Sequence, residues 1–306
     1  MSDEIRDMPR SVHDRLLNLA RKANRPYNEF QQRFAMERFL YRLSVSPFSQ
    51  QFVLKGALAF LAWMKEQSLY RPTMDIDLLG RTSNSEENLV RIFRAVAEQQ
   101  VPDDGLLFDA QSVTIEPIDE DAKYRGIRVK LLGRLANARI PMQIDIGFSD
   151  IPVPQPQQVH LPALLDFPAP AMQGYCPEST IAEKFQAMVD RDIRNSRMKD
   201  FTDVWFLCCH FHFDGATLAD SIAATFRHRG TAMPAAPIPL SPELAQDAMK
   251  QTQWTAFVRK GKLDALPERF SEVIAALRLF LLPVAESIAA GSRFVGTWTP
   301  PGPWRT

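Results

Sequence analysis

Cysteine is scarce in this chain, which carries only three cysteines among 306 residues. Two of them, Cys208 and Cys209, are adjacent, so a disulfide framework is excluded. Unpaired thiols are typical of a reducing compartment, and we therefore expect a cytoplasmic protein. The sequence also lacks an apolar run of about 18 residues, the minimum for a membrane-spanning helix, so we expect no membrane span.

The chain has no excess of either charge. Lys and Arg together number 36, as do Asp and Glu, so the formal net charge is zero. This balance excludes a globally basic nucleic-acid-binding protein, although it is compatible with a local basic patch. The P-loop, the glycine-rich dinucleotide fingerprint and the G-x-S-x-G elbow are also missing, so the chemistry must reside in other residues.

Proline is concentrated in one segment. Seven prolines lie between residues 151 and 177, where they interrupt ladders and helices, so the segment is interpreted as an extended linker or surface strap. Strand patterns precede it and helical patterns follow it. We therefore predict an α+β fold, with a small mixed β-sheet domain and flanking helices at 1–165 and a mainly α-helical domain at 166–306. No secondary structure is assigned to the tail at 297–306, which contains proline and tryptophan.

In the first domain, apolar periodicity separates helices from strands. Ile127, Val129 and Leu131 alternate with Arg128 and Lys130, which is typical of a half-buried strand. Further patterns predict helices at 10–23, from Tyr27 to Ser46, at 57–64 and from Ser83 to Gln99, and strands at 51–54, 74–79, 112–117 and 140–148.

The strongest local feature is the segment R-P-T-M-D-I-D at 71–77. Alternate residues of a strand share a face, so Asp75 and Asp77 project together while Ile76 faces the core. Two adjacent carboxylates repel each other unless a cation lies between them, and oxygen ligands favour a hard cation such as Mg²⁺. The alternative for an isolated D-x-D is a solvated strand face or a turn.

A third acidic residue, Asp145, lies between Ile144 and Ile146. With both isoleucines facing inward, the carboxylate faces the side of the sheet that Asp75 and Asp77 occupy if the strands are neighbours. Three such carboxylates can hold two Mg²⁺ ions about 3.5–4 Å apart, as in phosphoryl-group displacement. The alternative is a lone aspartate on an edge strand.

A glycine separates the strand predicted at 51–54 from the helix at 57–64. The sequence there is Lys55-Gly56-Ala57-Leu58. Glycine permits close approach of the backbone to a phosphate, and the amides at the start of the following helix point to the same place. The alternative is an ordinary turn.

A basic helix in the second domain forms the other informative region. Lys184, Met188 and Arg191 fall on one helix face, and Arg194, Arg197, Lys199 and Asp200 follow. The functional interpretation is that Lys184 points into a cleft between the domains and neutralises triphosphate charge, with Asp200 orienting it. The alternative is a solvated basic face. Asp203 is interpreted as a helix-surface or supporting carboxylate.

Taken in this order, these motifs resemble the AbiEii/AbiGii toxin family, which comprises nucleotidyltransferase-like proteins of the DNA polymerase β superfamily. The resemblance covers about residues 30–210 and includes Glu183-Lys184 and the run K-D-F-T-D at 199–203. It implies a small nucleotidyltransferase sheet domain and a helical domain, with nucleotide and metal bound in the cleft. Many relatives have Gly-Ser or Gly-Gly at the loop, whereas Ala57 here offers no hydroxyl to a phosphate.

The resemblance also implies roles for individual residues. Asp75, Asp77 and Asp145 correspond to metal ligands, and Asp200 corresponds to the acid of the helical domain. The implied nucleotide-binding residues are Lys55, Gly56, Ala57, Arg71, Thr73 and Lys184.

We therefore predict a transferase that uses Mg²⁺ or Mn²⁺ to move a nucleoside monophosphate from an NTP to an acceptor hydroxyl. The acceptor is expected to be RNA, such as tRNA, bound by the basic face around Arg191, Arg194 and Arg197. The family further implies a growth-arresting toxin with an antitoxin partner, or a role in phage defence. Two alternatives stay open: a non-catalytic nucleotide- or RNA-binding protein on the same scaffold, and a two-metal nuclease.

Overall fold

The structure is a computed structural model that describes residues 7–64, 71–118 and 126–305. The predicted α+β class is confirmed, because a mixed sheet precedes a largely helical part of the chain. No helix among the described residues combines the length and the apolar character that crossing a membrane requires.

The chain divides into two compact units. The sheet unit comprises Met1–Ser149 with Gln157–Gly174, and the helical unit comprises Asp150–Pro156 with Tyr175–Thr306. The backbone therefore passes between the units three times rather than once. The predicted boundary between residues 165 and 166 falls inside the second segment of the sheet unit.

Most of the predicted helices correspond to observed ones. The fourth helix was predicted to begin at Ser83, but it begins at Glu86 after the cap Ser85, whose hydroxyl accepts a hydrogen bond from the backbone N–H of Asn88. The helices are α1 (Met8–Ala23), α2 (Tyr27–Ser44), α3 (Gly56–Met64), α4 (Glu86–Ala97), α5 (Pro177–Arg191), α6 (Met198–His210), α7 (Gly215–His228), α8 (Pro242–Ala245), α9 (Ala248–Gly261) and α10 (Phe270–Ala289).

Strands occur both before and after the proline-rich segment. They are β1 (Phe52–Lys55), β2 (Asp75–Gly80), β3 (Leu106–Ile118), β4 (Gly126–Leu135), β5 (Ala138–Gly147), β6 (Gln157–His160), β7 (Ala171–Gly174), β8 (Phe213–Asp214), β9 (Thr297–Trp298) and β10 (Trp304–Arg305).

Seven strands of the described chain form one mixed sheet in the order β3-β4-β5-β2-β1-β7-β6. The β2–β5 and β1–β7 pairs are parallel, and the other pairs are antiparallel. Strand β2 is thus flanked by β1 and β5 at the centre of the order.

The interpretation of 151–177 as a linker without strands is wrong. Strands β6 and β7 lie in this segment and pair with each other, with Val159 opposite Met172. Neither strand contains a proline. Pro156 and Pro170 each lie one position before the first residue of a strand. The prolines therefore bound the strands without removing any N–H from the ladder.

One face of the sheet is apolar and buried. Ile76, Val129, Ile144 and Ile146 are at most 1% exposed and share one hydrophobic cluster with residues of α1, α2 and α4. Because strand residues alternate between faces, this burial places the intervening charged residues of β2, β4 and β5 on the opposite face.

In the helical unit, the C-terminal tail packs against α10. Phe280 of α10 is fully buried and packs against Trp298, whose indole N–H donates to the backbone carbonyl of Cys208 at 2.7 Å. Trp304 likewise donates to the backbone carbonyl of Phe280. The assignment of no structure to the tail is therefore wrong for 297–305, because both indoles find partners in the core; residue 306 lies outside the described residues.

A buried ion pair joins α2 to the loop before β3. Arg42 contacts both carboxylate oxygens of Asp104 at 2.7 and 3.0 Å, and both side chains are under 10% exposed. Burying two charges is tolerated only when each neutralises the other, so removal of one partner exposes the full desolvation penalty of the other.

We expect Asp104→Asn to lower the free energy of unfolding by about 3–5 kcal/mol, because Arg42 keeps its charge in a buried site. Urea denaturation measures the difference. The matched control is Arg134→Met, which breaks an exposed pair with Asp109 on the same sheet and is expected to cost under about 1 kcal/mol. Equal losses in the two variants would contradict this account.

Candidate active site

The register of the central strands brings acidic residues together. Asp77 on β2 pairs with Asp145 on the parallel strand β5 and with Lys55 on the antiparallel strand β1. Asp75 pairs with Gln143 in the same ladder. On β2 and β5 these residues alternate with buried apolar ones, so their side chains lie on the face opposite the core, and Lys55 shares that face as the register partner of Asp77.

Three carboxylates meet on this polar face. Ligand oxygens of Asp75, Asp77 and Asp145 lie within 4.8 Å of one another, and all three residues are half-buried. No other set of three His, Cys, Asp or Glu residues comes together in this way within 7–64, 71–118 and 126–305. The predicted gathering of these side chains is confirmed as geometry, and three closely spaced anions of this kind offer a site for divalent cations.

Neighbouring side chains hold two of the carboxylates. The Thr73 hydroxyl donates to Oδ1 of Asp75 at 2.6 Å. Arg128 of β4 donates from Nε to Oδ1 and from Nη2 to Oδ2 of Asp145, both at 2.9 Å, and the Gln143 amide donates to the same Oδ2 at 3.3 Å. A bidentate guanidinium fixes the plane of a carboxylate as well as its position.

Arg128 is the residue that the sequence analysis missed as part of the site. The alternation of β4 places it on the polar face, but only the β4–β5 register sets it opposite Asp145. That register depends on a long-range pairing that local patterns do not specify.

Gly56 lies against the second carboxylate. Its φ is +69°, in the left-handed region, and it is the first residue of α3. A Cβ added here would come within 2.0 Å of Oδ2 of Asp77. A side chain at this position would therefore collide with Asp77, which explains the glycine without invoking a phosphate.

The other predicted nucleotide-binding residues of the sheet unit differ in their burial. Lys55 is half-buried and precedes Gly56, whereas Ala57 is buried within α3. Arg71 donates to the carbonyl of Pro72 at 3.4 Å and, like Thr73, is half-buried. Ala57 thus faces the interior and contributes to such a site only through its backbone.

A buried ion cluster surrounds Lys184 in the helical unit. Its ammonium contacts Oδ1 of Asp200 at 2.9 Å and Oδ2 of Asp203 at 2.6 Å, and both aspartates are at most 1% exposed. Arg197 contacts the second oxygen of Asp200 at 2.9 Å. The predicted pairing of Asp200 with Lys184 is thus present, and Asp203 is a supporting carboxylate rather than one on the helix surface.

Two opposing effects act on Asp200. Burial raises its pKa, but the positive charges of Lys184 and Arg197 outweigh burial, so the pKa lies below the usual value of 3.8. Asp200 is therefore ionised at neutral pH and holds two helices, α5 and α6, through Lys184.

The three arginines predicted to bind RNA differ in their surroundings. Arg191 ends α5, and Arg194 is exposed in the short turn Asp192–Arg194 that follows. Arg197 is about two-thirds buried and its charge is balanced by Asp200. Arg194 is thus the most exposed of the three.

Comparison with known proteins bears on this site. The family described as nucleotidyl transferase AbiEii toxin, type IV TA system, matches residues 38–276. No curated protein is significantly similar in sequence. Among solved structures, JHP933 from Helicobacter pylori is 17% identical, with a TM-score of 0.45 over 86% of this chain and 92% of that one. A candidate nucleotidyltransferase from H. pylori is also 17% identical, with a TM-score of 0.44 over 85% and 94%.

The family match includes all three carboxylates and the Lys184 cluster, and it confirms the resemblance seen in the motifs. Since it spans more than half of the chain, this protein belongs to the AbiEii family of nucleotidyltransferase toxins of type IV toxin–antitoxin systems.

Proposed function

We propose that this protein transfers a nucleoside monophosphate from an NTP to a hydroxyl group of RNA, with Mg²⁺ or Mn²⁺ as cofactor. The acceptor oxygen bonds to the α-phosphorus while the bond to the β-phosphate breaks, and pyrophosphate leaves. The observation that carries the proposal is the meeting of Asp75, Asp77 and Asp145 within 4.8 Å on the polar face of the sheet.

The donor set fits a hard divalent cation. All three groups are carboxylates, and Mg²⁺ and Mn²⁺ prefer oxygen ligands, whereas a softer metal would favour thiolate or imidazole. Bound cations of this kind would lower the pKa of the attacking hydroxyl and neutralise charge on the leaving pyrophosphate.

The surrounding residues have separate tasks in this proposal. Asp145 is nearest the attacking hydroxyl, and Asp75 and Asp77 hold the nucleotide side of the site. Gly56 leaves room beside Asp77, and the first amides of α3 provide donors for a phosphate in place of the missing hydroxyl. Lys184 and Arg71 neutralise the triphosphate, a role that rests on the family resemblance.

The proposed partners, an antitoxin and RNA, are inferred mainly from the family and less from the charged surface residues. The family is that of a toxin–antitoxin system, so an antitoxin partner is implied. RNA, and tRNA in particular, is the proposed acceptor, with Arg191, Arg194 and Arg197 as candidate phosphate contacts. The cytoplasmic location remains a prediction from the cysteine content.

The direct test incubates the protein with Mg²⁺, total tRNA and each of the four α-labelled NTPs in turn. We expect label to appear in RNA, and we expect Asp75→Asn to reduce the rate on the order of a hundredfold or more, because charge stabilisation by a held cation amounts to several kcal/mol. Asp109→Asn, which changes an acid on β3 of the same sheet, is the matched control and should retain the wild-type rate.

Other outcomes would identify the alternatives. Shortening of the RNA without any NTP would favour a nuclease. Metal-dependent NTP binding in calorimetry without transfer to any acceptor would favour a non-catalytic binding protein. Unchanged transfer in folded Asp75→Asn would contradict the role of the carboxylates.

Gly56→Ala tests the close approach at Asp77. We expect transfer to fall on the order of a hundredfold, because the added Cβ displaces a carboxylate that must be held within a fraction of an ångström. The left-handed φ adds a stability cost of about 1–2 kcal/mol. Gly230→Ala is the control, since Gly230 has a similar φ of +61° with nothing within 4 Å of the added atom. Its rate should stay at the wild-type value, and an equal loss in both variants would assign the effect to backbone strain.

Lys184→Met is expected to lower the free energy of unfolding by about 3–5 kcal/mol at neutral pH, because two buried carboxylates lose their shared cation. The folded-state pKa of Asp200 lies below 3.8. The ionised carboxylate therefore contributes its full amount to the free energy of unfolding above that value, and the contribution declines as the pH falls. The difference between wild type and variant should therefore shrink in acid. Urea titrations from pH 7 to 3, with the exposed Lys260→Met as control, measure it; a pH-independent difference would contradict this reading.

A further inference from the structure

A row of charged residues crosses five strands at one register. Glu116 of β3 pairs with Arg128, Arg128 pairs with Asp145, Asp145 pairs with Asp77, and Asp77 pairs with Lys55. Charges alternate along this row except at its centre, where the two carboxylates of the proposed metal site are neighbours. Directly opposed like charges destabilise a sheet unless something compensates them.

Arg128 supplies such compensation at Asp145. It contacts both carboxylate oxygens at 2.9 Å, and the two side chains are 27% and 19% exposed. A guanidinium stays protonated throughout the physiological pH range, so this positive charge is permanent there. Partial burial weakens screening by water, and the charge therefore acts strongly on anything that binds to Asp145.

We infer that Arg128 is a positioning residue that limits how tightly the third carboxylate binds a divalent cation. Arg128 occupies a lone pair on each oxygen of Asp145 and places a unit of positive charge beside the site. A divalent cation at Asp145 must therefore share the carboxylate with Arg128. This inference rests on the proposed function, because it takes the three aspartates as the metal site.

The direction in which metal affinity changes when Arg128 is removed distinguishes charge competition from a purely orienting role. If Arg128 served only to orient the carboxylate, its loss would weaken metal binding, as loss of a group that supports a metal ligand usually does. If its charge competes with the cation, its loss strengthens binding. The bidentate contact and the permanent charge favour competition, while the Gln143 amide still restrains Asp145 after the arginine is removed.

The test is a titration of the full chain with Mn²⁺ alone, in which free Mn²⁺ is followed by electron paramagnetic resonance. We expect Arg128→Met to bind Mn²⁺ about tenfold more tightly than wild type, and Arg128→Lys, which keeps the charge, to stay close to wild type. Arg134→Met on the same strand, which frees Asp109 instead, should leave the affinity unchanged.

A double-mutant comparison locates the effect at Asp145. In an Asp145→Asn background, the gain from Arg128→Met should largely disappear, because the shared carboxylate is gone. A gain that persists there, or weaker binding in Arg128→Met, would overturn the inference while leaving the metal site intact. Absence of Mn²⁺ binding in wild type and all variants would overturn the proposed function as well. Should Arg128→Met fail to fold, Arg128→Gln removes the charge while leaving a shorter polar amide on the strand, and it carries the same expectation.

Discussion

The enforced proximity of like charges is the constraint around which the sheet unit is organised. Asp75, Asp77 and Asp145 are brought within 4.8 Å by the β2–β5 register, and that register is maintained by apolar burial on the opposite face. A slip of one residue would turn the carboxylates into the core and the isoleucines into solvent. The hydrophobic effect on one side of the sheet therefore sustains an electrostatic repulsion on the other.

Charge compensation in the helical unit follows a different pattern. Lys184 is half-buried and lies beside two fully buried aspartates and an arginine, so the cluster is neutral as a whole and ties α5 to α6. In the sheet unit, by contrast, the half-buried carboxylate of Asp145 is paired with Arg128, and that of Asp75 accepts a hydrogen bond from the Thr73 hydroxyl. The two aspartates beside Lys184 are almost fully buried, so ions from solvent have little access to them. The charges of this cluster therefore stabilise the fold, whatever else Lys184 contacts.

Local patterns in the sequence were sufficient for most elements of the first 150 residues and for the three acids, because alternation alone decides which face a strand residue occupies. They were insufficient for partners set by long-range pairing. Arg128 is predicted on the polar face, but its contact with Asp145 requires the β4–β5 register. Strands β6 and β7 were missed because a high proline count masked two short proline-free runs. The choice between a surface and a supporting role for Asp203 stayed open, because the burial of this carboxylate depends on Lys184 from another helix.

The loop at Gly56 shows how a departure from a family pattern can be compatible with the same site. Ala57 departs from the Gly-Ser or Gly-Gly pattern of the family resemblance, but it is buried and its side chain does not face the polar surface. What the geometry demands at this point is the absence of a side chain at Gly56, since Asp77 fills the space that a Cβ would take. The glycine is thus tied to the position of a carboxylate on the neighbouring strand, and the alanine only to the packing of α3. A substitution at the second position can therefore be accommodated as long as the first keeps Asp77 in place.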